Sequence, residues 1–120
     1  IYLTNAVKHF KFTVRGRHRL HKTPSAAEID HCRWWLNRER ELVKPDLSVA
    51  MGSSAARGLF GHTVSVGDLR GRIMHRPDGP VLVTYHPAYI LRHPDPAERT
   101  RAKLAFEDDL GLAADYLNAV

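Results

Sequence analysis

The feature that most limits the fold of this chain is an alternation of short apolar runs with amphipathic stretches. The apolar runs cover residues 1–7, 47–51 and 81–85, and their length and β-branched content are typical of buried strands. A helical pattern lies downstream of each run. Because this order is typical of parallel sheets with helices on both faces, the sequence predicts an α/β domain.

Local signals place the ends of these elements. Ser25 and Glu28 match a capping box, so a helix is predicted to begin there and to end before Pro45. The basic stretch before this helix is predicted to be a long loop. The other predicted elements are a short helix between Gly52 and Gly61, two short strands within 64–76, a turn at 77–80 and a helix over 97–117.

The size and the cysteine content of the chain limit the kinds of protein to which it can belong. Its 120 residues suffice for one small core, and three core strands make a thin sheet, so we expect residues 1–120 to be the C-terminal part of a single larger domain. No apolar run approaches the roughly 20 residues that span a bilayer. Cys32 is the one cysteine, which excludes an internal disulfide and favours a reducing, cytoplasmic setting.

The positive charge is concentrated in one segment. Six basic residues lie between Lys8 and Lys22 with no acid among them, whereas the other 12 basic residues are balanced by 13 acidic ones. Phe10 and Phe12 are interleaved with these cations and could stack on bases. The segment therefore indicates nucleic-acid binding. The alternative is a solvated loop whose aromatic residues pin it to the core.

Polar residues follow each predicted strand. Asn5 lies near the end of the first, Ser53 follows the second, and His86 follows the third. Ligands of open parallel sheets bind beyond the carboxyl ends of the strands, so these three side chains could share a crevice. The alternative is local: Asn5 caps a turn, Ser53 caps a helix, and His86 bonds a nearby carbonyl.

Several stretches carry a resemblance to a known family. Residues 2–8 (YLTNAVK) and 86–92 (HPAYILR) resemble the active-site motifs of family 4 uracil-DNA glycosylases, and 47–56 and 69–71 resemble the pattern between them. Residues 17–25 (RHRLHKTPS) resemble the loop of one branch, the UdgX-type proteins. The similarity runs over nearly the whole chain in the expected order. It implies a three-layer α/β/α fold around a four-stranded parallel sheet, with its N-terminal strand and first active-site motif missing here.

The resemblance also implies roles for individual residues. Asn5 would read the edge of a uracil flipped out of DNA, and His86 would donate a hydrogen bond to uracil O2 as the base leaves. Leu91 and Arg92 would enter the duplex, and Ser53 would contact a phosphate. The remaining implied DNA contacts are Lys8, Arg17, Arg19 and Lys22.

His21 carries the most specific implication. In UdgX-type proteins the histidine of this loop attacks the sugar C1′ after uracil departs, which leaves a covalent protein–DNA adduct. The alternative is that His21 is one of three histidines in a nucleic-acid-binding loop.

The resemblance also implies a partner, which is uracil-containing DNA, preferably single-stranded. It implies that the protein is a monomer.

A [4Fe–4S] cluster is the implied cofactor. The positions that match family ligands hold His9 and Cys32, and the other two ligands would lie upstream of this chain. The alternative for Cys32 is a buried helix cysteine. Because the first active-site motif has no counterpart here, we expect these 120 residues alone to lack efficient catalysis.

Three functions compete at this point. The first is a uracil-DNA glycosylase, single-turnover if His21 forms the adduct. The second is a module that binds uracil-DNA or single strands without turnover. The third is an unrelated nucleotide-binding protein, which the absence of a phosphate-binding glycine fingerprint disfavours.

Overall fold

The computed structural model describes residues 2–6 and 25–119, and the backbone of 12–15 and 18–21. Ten elements follow one another in these parts of the chain. They are β1 (Phe12–Arg15), β2 (His18–His21), α1 (Ala26–Val43), β3 (Ser48–Met51), α2 (Ser53–Phe60), α3 (Val66–Leu69), β4 (Ile73–Arg76), β5 (Gly79–Thr84), α4 (Pro87–Arg92) and α5 (Pro96–Asn118). No helix in this described part has the length and hydrophobicity needed to cross a membrane.

The central sheet has the strand order β3-β5-β4. β3 runs parallel to β5, with Ser48 opposite Val81, whereas β4 is antiparallel to β5. The two-residue turn at 77–78 makes β4 and β5 a hairpin, so this edge of the sheet cannot be parallel. The α/β class is confirmed, and the sheet in it is mixed. Of the two strands predicted within 64–76, the second is β4, and the first is wrong because 66–69 form α3.

Side chains of β5 alternate between the two faces of this sheet. Val81 and Val83 pack with the residues of α1 and α2, whereas Thr84 bonds to Asp109 of α5 on the opposite face. Helices therefore cover both faces, which gives the three layers that the sequence predicts. The core on the α2 side contains Leu36, Ala50, Ala56, Leu59, Phe60, Val81 and Val83.

Helix α1 begins where its capping box predicts. The Ser25 hydroxyl accepts a hydrogen bond from the Glu28 amide at 3.2 Å, and the Glu28 carboxylate accepts from the Ser25 amide at 3.3 Å. The helix ends at Lys44, which adopts a left-handed conformation one residue before Pro45. Its buried positions are Ile29, Cys32 and Leu36, spaced as one helical face.

Residues 2–6 are not in a strand, so the strand predicted over 1–7 is wrong in this part. The hydroxyls of Tyr2 and Thr4 both donate to the Glu39 carboxylate of α1, at 2.7 and 2.8 Å. The Ala6 methyl lies 2.9 Å from the place where a Cβ on Gly58 would stand. A strand exists only where its backbone pairs with a neighbour, and this segment is instead held by side chains against α1 and α2.

The basic segment is a hairpin where the structure describes it. β1 and β2 pair in antiparallel register, with Phe12 opposite His21 and Arg15 opposite His18. The prediction of a long loop is therefore wrong for 12–15 and 18–21. Residues 12–15 (FTVR) include aromatic and β-branched residues, which are typical of strands, and the next residue is a glycine, a residue type common in turns, so the sequence contained a local signal for a hairpin.

Candidate functional site

The carboxyl ends of β3 and β5 bring two turns together. The Gly52 amide, just after β3, donates to the carbonyl of Thr84, the last residue of β5, at 2.9 Å. Gly52 has a φ of +90°, and a Cβ added there would lie 3.1 Å from Cβ of His86. Only glycine combines this backbone conformation with such a close approach. The Gly52-Ser53 turn therefore lies next to His86, as the sequence predicts.

His86 caps helix α4 through its ring. Its Nδ1 accepts a hydrogen bond from the Ala88 amide at 3.0 Å. Because Nδ1 acts as the acceptor, the neutral ring carries its proton on Nε2. His86 is exposed, so this Nε2–H donor can reach a ligand. The ring therefore bonds an amide, and not a carbonyl as the local alternative proposed.

An open cleft of about 460 Å³ lies between these turns. Its volume is within the range of small-molecule sites. The Tyr85 and Tyr89 rings stack in its wall, with centroids 5.5 Å apart and planes 15° apart. The lining residues are Met51, Gly52, Ser53, Ser54, Val66, Gly67, Tyr85, His86 and Tyr89. The cleft thus combines flat aromatic rings, hydroxyls and an imidazole donor.

Three residues that the sequence reasoning missed form a network behind this cleft. Asp109 of α5 is 1% exposed and accepts from the Thr84 hydroxyl and from the Arg70 guanidinium. The hydrogen bond to Asp109 raises the pKa of Arg70 above its ordinary value, against the opposing effect of burial. Asp109 ends an acidic stretch of a long helix, so nothing in its local sequence distinguishes it from solvated neighbours.

Three further residues expected to contact DNA, Ser53, Leu91 and Arg92, are exposed. Ser53 is the first residue of α2, and the N-cap is Gly52, so the helix-cap alternative for Ser53 is wrong. Leu91 is 77% exposed at the end of α4, beside the exposed Arg92. Neither of these two lines the cleft, but they belong to the helix that His86 caps.

Asn5 is exposed and is not among the residues that line the His86 cleft. Its segment is anchored to α1 through the hydroxyls of Tyr2 and Thr4. For His21 the structure describes the backbone alone, in β2. The expected convergence of Asn5, His21 and His86 on one uracil therefore stays a prediction.

Comparison with known proteins decides the family. The profile of the Uracil DNA glycosylase superfamily matches residues 1–111. The chain belongs to the uracil-DNA glycosylase superfamily. A Type-4 uracil-DNA glycosylase of Thermotoga maritima is 32% identical over 95 residues, which are 78% of this chain and 46% of the relative. The chain thus spans about half the length of this relative, and the family 4-like character expected from the sequence is confirmed.

The DNA contacts that the sequence predicts for this member of the uracil-DNA glycosylase superfamily lie mostly in the basic segment. Arg19 lies in β2, where the structure describes the backbone. The other expected contacts, Lys8, Arg17 and Lys22, lie outside the described residues. Their roles stay predictions that come from the sequence.

The expected iron–sulfur ligands are not brought together in the described part of the chain. Cys32 is 2% exposed on the inner face of α1, and no group of three His, Cys, Asp or Glu residues among the described ones could hold a metal. His9 lies outside the described residues. With one cysteine in 120 residues, this chain does not supply a four-thiolate site.

Proposed function

We propose that this chain forms the C-terminal part of a uracil-DNA glycosylase domain and supplies the residues that recognise and release uracil. The observation that carries the proposal is the His86 imidazole, held with Nε2–H exposed at the shared edge of β3 and β5. Family membership supports it, and so does the activity in the name of the Thermotoga maritima relative. In this proposal the chain takes part in DNA repair by uracil excision.

The proposed reaction breaks the bond between uracil N1 and the sugar C1′. The electron pair of this bond leaves with the base, and negative charge develops on uracil N1 and O2. A hydrogen bond from His86 Nε2–H to O2 stabilises that charge in the transition state. The stacked rings of Tyr85 and Tyr89 offer an aromatic wall for a base in the cleft. In this proposal Asn5 reads the Watson–Crick edge of the uracil.

The first experiment measures free uracil. A protein that contains these residues within the whole proposed glycosylase domain is incubated in excess with single-stranded DNA that carries one uracil, and His86→Ala is expected to release uracil about 100-fold more slowly. The matched control is His62→Ala, because His62 is an exposed histidine that follows the opposite end of α2. Equal rates for His86→Ala and the unaltered protein would contradict the role of His86. Tight retention of the DNA without base release would instead identify a binding module.

We also propose that His21 captures the sugar. After uracil leaves, a ring nitrogen of neutral His21 donates its lone pair to the electrophilic C1′, and the ring then loses its other proton to solvent. The bond formed links protein to DNA, so each protein molecule releases one uracil. The alternative product is the free abasic site that forms when water adds to C1′. Arg19 would position this strand or a phosphate.

A denaturing gel tests this capture. The unaltered protein and the His18→Ala variant are each expected to form an SDS-resistant complex with a uracil-containing oligonucleotide. The His21→Ala variant is expected to form no such complex. His18 is the matched control because it lies at the other end of the same strand, β2. Equal amounts of complex with His21→Ala and the unaltered protein would rule out a covalent role of this histidine.

Other properties proposed here follow from family likeness. We infer an intracellular, monomeric protein that prefers single-stranded uracil-DNA, contacts phosphate through Ser53 and inserts Leu91 and Arg92 into a duplex. We also infer that Cys32 and His9 serve as two ligands of a [4Fe–4S] cluster only if further ligands are supplied from outside this chain. Iron and sulfide analysis after anaerobic purification, with Cys32→Ser as control, tests this inference.

A further inference from the structure

Asp109 is a buried carboxylate that the proposed reaction does not use. It lies on α5, 1% exposed, and both of its oxygens are engaged. Oδ2 accepts from the Thr84 hydroxyl at 2.6 Å and from Arg70 Nε at 3.0 Å, and Oδ1 accepts from Arg70 Nη2 at 2.7 Å. A buried charge is retained when it is compensated in this way, so the three side chains form one hydrogen-bonded unit.

Thr84 joins this unit to the cleft. It is the last residue of β5 and is fully buried, two positions before His86. Its side chain is tied to α5 through Asp109, and its carbonyl accepts the Gly52 amide at 2.9 Å. One residue therefore sets the position of both turns between which the cleft opens.

Arg70 extends the unit to the aromatic wall. Its guanidinium carbon lies 5.9 Å from the centre of the Tyr85 ring, within the range of a cation–π contact. Tyr85 in turn stacks on Tyr89. The network thus reaches the backbone turn of Gly52, the residue before His86 and the rings that line the cleft.

We propose that Thr84 and Asp109 are positioning residues, which hold the His86 imidazole in line with the O2 of a bound uracil. The proposal rests on the function proposed above. A hydrogen-bond donor that acts on the transition state must be held within a fraction of an ångström, and small displacements of it lower the rate of the chemical step more than substrate binding. A network that only docks α5 on the sheet would alter stability and leave the rate of the folded protein unchanged.

The test compares variants that keep the shape of Thr84 with variants that keep its hydroxyl. Thr84→Val removes the hydroxyl at nearly constant volume, whereas Thr84→Ser retains it. Single-turnover uracil release and the Kd for uracil-containing single-stranded DNA are measured on protein that circular dichroism shows to be folded. Thr84→Val is expected to slow release about tenfold or more, with Kd changed less than about threefold, and Thr84→Ser to stay within about threefold in both.

A second carboxylate provides the matched control. Asp30 accepts two hydrogen bonds from Arg57, at 3.0 and 2.8 Å, in a pair that joins α1 to α2 away from the Thr84 network. Asp109→Asn is expected to slow uracil release as Thr84→Val does, whereas Asp30→Asn should leave the rate unchanged. Equal slowing by both substitutions would contradict a specific role of the network.

The ring of His86 gives a readout that needs no activity. Long-range ¹H–¹⁵N spectra should show the Nε2–H tautomer in the unaltered protein and in Thr84→Ser, and a mixture of tautomers in Thr84→Val. A folded Thr84→Val that keeps both the unaltered rate and the unaltered His86 spectrum overturns the positioning role. If the unaltered protein with the whole proposed domain releases no uracil, the proposed function fails, and the His86 spectra still show whether the Thr84 hydroxyl fixes the state of the ring.

Discussion

At the scale of single residues, Gly52 connects backbone conformation to the proposed chemistry. Gly52→Ala places a Cβ 3.1 Å from that of His86 and leaves an alanine at a φ of +90°. We expect a loss of about 1–3 kcal/mol in the free energy of unfolding, from denaturant titration, together with slower uracil release because His86 is displaced. Gly79→Ala is the matched control, since Gly79 lies at the other end of β5 with a φ of +121°, and a Cβ added there would meet no atom within 4 Å. It should lose stability and keep its rate per folded molecule. Equal release by the two variants would contradict the link between Gly52 and His86.

At the scale of secondary-structure elements, the sequence predicts those whose signals are local. Helix α1 follows from the Ser25 capping box, and β3 and β5 follow from apolar runs that a small domain must bury. Residues 2–6 are apolar enough for a strand, but strand formation depends on a pairing partner, and hydroxyl bonds to Glu39 hold this segment against α1 instead. The parts of the candidate site also differ in whether local sequence signals predict them. The turn after β3 and His86 meet because parallel strands end at one edge, whereas the network around Asp109 depends on how α5 packs, which no local pattern encodes.

At the scale of the whole molecule, the uneven distribution of charge makes a prediction about salt. The net charge of +5 is supplied by the segment between Lys8 and Lys22, so DNA affinity should depend on this segment and little on the rest of the surface. Replacement of Lys8, Arg17, Arg19 and Lys22 by glutamine is expected to reduce the magnitude of the slope of log K against log salt concentration by about 3 on single-stranded DNA. Each lost phosphate contact lowers this magnitude by about 0.7. The control variant carries four glutamines at exposed basic positions of α1 and α5, namely Arg38, Arg99, Arg101 and Lys103. Both variants lower the net charge equally, so a uniform field effect would flatten both plots alike. Fluorescence anisotropy from low to moderate salt separates the two cases, and equal slopes for the two variants would show that the basic segment is not the surface that binds phosphate.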